Sequence, residues 1–128
     1  MEECRISCKV SSLFLFTIHL KLELQEGRLL ILHSLANVEQ WAIDLSWDII
    51  ARFSDFKMPN EFYTDFIKVA ADEAKHYTIL VDRLKSLGSQ FGAFPIHARL
   101  WDSALDTRHD LMSRLAIVHM VHEVSFFQ

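Results

Sequence analysis

Residues 16–24 read F-T-I-H-L-K-L-E-L, with apolar and polar side chains alternating at every position, the period of a half-buried strand. No partner strand accompanies them, and a lone strand is not stable in water. The same stretch also places Leu13, Phe16, Leu20 and Leu24 on one helical stripe. Residues 1–27 therefore carry both readings and are set apart as an N-terminal segment. After Gly27 the period changes: Leu32, Leu35, Ala36, Glu39, Ala42, Ile43, Ser46 and Ile50 recur at helical spacing and predict a helix running through Phe53. Residues 54–59 read as a turn, since Pro59 disfavours helix at Met58. A second helix is predicted over residues 60–87 through Phe62, Phe66, Val69, Glu73, His76, Leu80 and Leu84, with Gly88 as its stop.

Residues 88–102 carry Gly88, Gly92 and Pro95 and are expected to form a crossing loop held to the bundle by Phe91, Phe94, Ile96, Leu100 and Trp101. A third helix is expected to start at Asp106 or Thr107 and to continue through Leu111, Met112, Leu115, Ala116, His119 and Glu123. The expectation is an all-α bundle of three main helices over residues 28–128.

A chain of 128 residues suits one domain, and 51% hydrophobic residues with 3 Gly and 2 Pro argue for a packed core and against a disordered or loop-dominated chain. Thirteen Lys and Arg against 17 Asp and Glu offer no broad basic surface, so no nucleic-acid partner is expected. Residues 10–24 are apolar, but Thr17, His19, Lys21 and Glu23 interrupt them before the roughly 20 residues a membrane span requires. No small-x-small cleavage site follows, and a soluble, cytoplasmic protein is expected. Cys4 and Cys8 lie too close together to staple a distant loop, and as C-x-x-x-C they lack the further ligands of a closed metal site; they are read as free thiols.

The chemistry lies in the carboxylates. Glu39, Glu73 and Glu123, one on each expected helix, lie on or beside the apolar stripes. Burying an ionised carboxylate without a partner costs several kcal/mol, so acids facing a core are protonated, hydrogen-bonded or bound to a cation. Asp72-Glu73-Ala74-Lys75-His76 adds a Glu-x-x-His, whose spacing puts carboxylate and imidazole on one helical face within reach of a shared ion. No nucleophile constellation, G-x-S-x-G, G-x-G-x-x-G or Walker loop is present, which disfavours hydrolase and nucleotide chemistry.

Residues 32–45 (L-H-S-L-A-N-V-E-Q-W-A-I-D-L), the D-E-A-K-H run at 72–76, G-A-F-P-I-H at 92–97, L-W-D at 100–102, R-L-A at 114–116 and the His122-Glu123 pair together resemble a ferritin-like family catalogued as domain of unknown function 455. The resemblance implies a helical bundle that holds two iron or manganese ions between carboxylates and imidazoles, with oxygen-dependent oxidation as its ancestral chemistry. It assigns Glu39, Glu73, His76 and Glu123 as metal ligands. The chain departs from the family in having Asn37 where a His is usual, and in reading V-S-F-F-Q after Glu123 where a further segment and a fourth helix with a second Glu-x-x-His follow. It therefore resembles a truncated member with a half-built site, expected to bind one iron or manganese ion weakly, with doubtful catalysis.

The groove left by the absent helix invites a homodimer. The alternative is a non-catalytic structural or interaction module whose acids are relics paired with His and Tyr77 side chains. Among the other histidines, His33 lies six residues before Glu39 and so points elsewhere on the helix, His97 reads as a loop hydrogen-bonder and His119 could reach an ion, while His109 and His122 read as surface or groove residues. Trp41, Trp47 and Trp101 read as core or loop anchors.

Overall fold

The computed structural model describes residues 2–96 and 99–121, with side chains over 23–96 and 100–120. All regular structure among them is helical, as the patterning implies. Helix α1 spans Glu2–Arg52, α2 Asn60–Ser86, α3 Arg99–Asp106 and α4 Leu111–Ala116, which passes directly into a π-helix over Ile117–Val121. At 1.5 Å per residue α1 is about 76 Å long against about 40 Å for α2. None of the described helices is long and apolar enough to cross a membrane.

The N-terminal segment is part of α1, which corrects both the strand reading and a helix start after Gly27. An isolated glycine ends a helix by adopting positive φ, and Gly27 does not do so. It keeps helical backbone at a cost of about 1 kcal/mol relative to alanine, while the leucine-rich turns on either side carry the helix through.

The other glycines punctuate as expected. Gly88, at φ 79°, donates from N to the Lys85 carbonyl at 3.0 Å, and Ser89 N donates to Leu84 O at 3.0 Å, closing α2 in the paired-bond motif that requires a left-handed residue. Before α2 the chain turns through a short 3₁₀ segment, Ser54–Phe56, and Pro59 leads into the first helical turn.

Two parts of the C-terminal half differ from the sequence reading. Residues 99–106 form a helix rather than the tail of the loop, and the next helix starts after Asp110, not at Asp106 or Thr107. Asp110 is extended, its carboxylate accepting from Met112 N at 3.0 Å and Ser113 Oγ at 2.6 Å. The face buried here is Ala104, Thr107, Leu111, Arg114 and Val118, whereas Met112 and Ala116 are exposed and Leu115 and His119 are half-buried.

Among the described residues the core has two clusters. Leu45, Ala104 and Val118 pack with Trp41, Leu100 and Trp101, while Ile49, Phe53 and Leu111 pack with Ile50, Met58, Phe62, Phe66 and Leu115. Trp41 and Trp101 meet at 5.4 Å as anchors, but Trp47 is exposed, as is Ile96 in the loop. Ile49 is completely buried at the centre of the second cluster. Ile49→Ala is expected to cost about 2–5 kcal/mol, read as a fall in the urea midpoint with an unchanged slope. A loss below about 1 kcal/mol would mean that the cluster is loosely packed.

Phe91 and Phe94 hold the crossing loop as expected, and they do so on His33. The His33 ring is fully buried, stacks on Phe91 at 5.0 Å and meets Phe94 edge-on at 5.4 Å. Gly92 N donates to its Nε2 at 2.9 Å, so the ring proton sits on Nδ1, which has no partner. Phe91 also contacts Tyr77 of α2 at 5.4 Å.

Candidate metal centre

Glu39 projects from α1, and Glu73 and His76 from one face of α2, three residues apart. One ligand atom from each lies within 4.8 Å of the others. His76 Nδ1–H donates to Glu73 Oε2 at 3.0 Å and lies 3.6 Å from Glu39 Oε2. The hydrogen bond to Glu73, aided by the charges of Glu39 and Glu73, holds the His76 imidazole above its ordinary value. The three side chains thus form a cluster of two carboxylates and an imidazole, with the imidazole on the side facing water.

The expectation that these acids meet in a dry interior needs correction. Side-chain exposure is 23% for Glu39, 16% for Glu73 and 54% for His76, so the cluster lines a groove open to solvent. The stripe on α2 is shallow, and only Ala70 and Leu84 on that helix are buried. Partial hydration explains why two carboxylates can share this space.

Glu123, the fourth ligand implied by the resemblance, lies outside the described residues, as do His97, His122 and the side chains of Cys4, Cys8 and His19. His109 is exposed, as expected. Asn37 accepts from Trp41 Nε1 at 2.9 Å and is buried on α1.

Below the cluster, periodicity overlooked a charged network. Arg114 is fully buried, and its guanidinium donates to the Asp48 carboxylate, to the Ala104 carbonyl and, through Nε at 3.0 Å, to Thr107 Oγ1. It thereby ties α1 to α4 and caps the C-terminal end of α3. Burial raises the Asp48 carboxyl, but hydrogen bonds from Arg52 and Arg114 outweigh that and hold it below the usual range. An arginine within an apolar run is the available signal, and its spacing from Leu111 and Val118 marks the buried face.

His119 also lies between elements. Its ring meets Phe66 edge-on at 5.0 Å, and its buried Nε2 has no partner. Burial pushes it down to about 4, the Arg114 charge adding to the push while Asp48 opposes it. Unfolded, the ring titrates near 6.5, so the two states hold the same protons above that pH and stability there is unaffected. Between 6.5 and about 4 the unfolded state takes up a proton that the folded state refuses, and stability falls by up to about 3 kcal/mol, less what solvent screening removes. His119→Phe is expected to flatten the fall of the urea midpoint over that window; parallel slopes in both proteins would assign the acid sensitivity to other groups.

The family described as "Protein of unknown function (DUF455)" matches residues 15–125. An "Uncharacterized protein" of Haemophilus influenzae (strain ATCC 51907 / DSM 11121 / KW20 / Rd) is 36% identical over 104 residues, covering 77% of this chain and 36% of that protein. The chain therefore spans about a third of the length of this curated relative. No solved structure matches.

Proposed function

Since the chain belongs to the family described as "Protein of unknown function (DUF455)", we propose that it is a ferritin-like helical domain that binds one divalent cation, iron or manganese, weakly through Glu39, Glu73 and His76. The observation carrying this reading is the convergence of donors from two helices, far apart in sequence, to within 4.8 Å. Two carboxylate oxygens and one imidazole nitrogen suit iron and manganese, and a bound ion would offset the charge of two neighbouring carboxylates. Three protein donors leave coordination positions to water, and partly hydrated ligands give weak affinity. The resemblance adds Glu123 as a fourth donor. When bound, either metal supplies one-electron chemistry toward oxygen, and the chain's own part is to hold two carboxylates and an imidazole on facing helices. A cytoplasmic setting keeps iron divalent for this role.

Calorimetric titration of metal-free protein with manganese(II), and with iron(II) under anaerobic conditions, tests the reading. One ion taken up per chain is expected, and no uptake of either metal overturns it.

A second reading, a non-catalytic interaction module with relic ligands, is favoured by Leu24, Ile31 and Leu35, which follow one another at seven- and four-residue spacing along α1 and are all exposed. A homodimer built on that stripe would appear as concentration-dependent sedimentation in a protein that takes up no ion.

A further inference from the structure

Beside the Glu39, Glu73 and His76 cluster, α2 and the α4/π-helix segment border an open cavity of about 600 Å³, with Phe66, Val69, Glu73, Leu115, Ala116 and His119 in its walls and Met112 and Met120 at its rim. A volume between about 300 and 1,000 Å³, with apolar walls and a few polar groups, is the usual form of a small-molecule site. Three further observations point to a ligand. Glu73 belongs to both the cavity wall and the cluster with Glu39 and His76. His119, in the same wall, has a buried nitrogen without a partner. The wall that carries His119 and Met120 is a π-helix, a rare irregularity that is frequent at functional sites.

We propose that this cavity binds a small, uncharged, largely apolar organic molecule, with its polar end at His119 and Glu73. Resting on the cation reading, the proposal makes this molecule the substrate of that site, seated beside the ion. The lining excludes charged ligands: an anion would meet Glu73, and either sign of charge would lose its hydration against Phe66, Val69, Leu115 and the two methionines. Met112 and Met120 are exposed at the rim, where unbranched, polarisable side chains adapt to the outline of a guest.

The test uses the metal-free 128-residue chain and N-phenyl-1-naphthylamine, an uncharged fluorescent probe with one N–H donor. Saturable binding of one probe per chain is expected, weakened by at least about tenfold in Ala116→Trp, which fills the cavity from α4. Val69→Trp fills it from α2 and serves if the first variant does not fold. Cobalt(II), a coloured stand-in for the native ion, is then added, and its visible absorption is expected to shift when the probe is present.

Probe binding that never saturates, that survives both substitutions, or that leaves the spectrum of bound cobalt unchanged overturns the proposal. So does a stable dimer that shuts the probe out, since a second copy would then be the occupant. If cobalt does not bind while the probe does and is lost in the filled variants, the cation reading fails and the cavity stands as a ligand site on its own.

Discussion

Asp48→Leu is expected to destabilise the protein by about 3–5 kcal/mol, the loss typical when one partner of a buried ion pair is removed. The replacement keeps the branched four-heavy-atom skeleton of aspartate, although its methyl groups are bulkier than the oxygens they replace. What changes is that the fully buried Arg114 loses its countercharge and keeps only the Ala104 carbonyl and the Thr107 hydroxyl. Those acceptors satisfy two donor positions but not the net charge. A domain of ordinary stability has about 5–15 kcal/mol in total, so this variant should sit near the edge of folding.

Urea denaturation followed by circular dichroism provides the measurement. Arg52→Ala is the internal control: Arg52 pairs with the same carboxylate but is partly exposed and one turn away on the same helix, an arrangement worth about 0–1 kcal/mol. Similar losses in the two variants would show that solvent reaches Arg114 and that the buried pair is not a keystone.

Glu73→Ala is expected to weaken manganese(II) uptake by more than about tenfold, because Glu73 both supplies a ligand oxygen and orients His76. Glu39→Ala removes the only donor of the cluster that α1 contributes and should act similarly. The two losses should not add, since either one reduces the cluster to two donors on a single helix or to an unsupported imidazole. Titration calorimetry on the two single variants and the double variant checks this. Unchanged affinity in Glu73→Ala would place any bound ion elsewhere. Thermal stability without metal should barely change in these variants, because the carboxylates already reach water.

The grouping of Glu39, Glu73 and His76 is more legible in the sequence than the fold's C-terminal half. Glu39, Glu73 and His76 were legible because a carboxylate on an apolar stripe conflicts with its neighbours, and a three-residue spacing converts that conflict into a shared face. The depth of the site was not legible, since periodicity reports direction around a helix and not how far the helix sinks into its partner. The limits of α2 followed from Pro59 and Gly88, residues whose backbone requirements are local. Helix α3 was missed because Gly88, Gly92 and Pro95 mark a loop without saying where it ends, and Arg99 to Asp106 is too short for its period to register. Arg114 was passed over because a cation normally counts as a solvated position. Met112, Leu115, Ala116 and His119, expected along one helix, border the cavity, with Leu115 also packed against the Ile49 cluster.

The clamp formed by His33, Phe91 and Gly92 has a consequence for any ion held six residues along α1. The donors sit on two separate rods, so their meeting depends on how far one rod has slid lengthwise past the other. A slip of a single helical turn, about 5.4 Å, would exceed the 4.8 Å over which the three donors gather. By joining α1, through Phe91, to Tyr77 of α2, the His33 imidazole fixes the axial alignment that a shared ion would require.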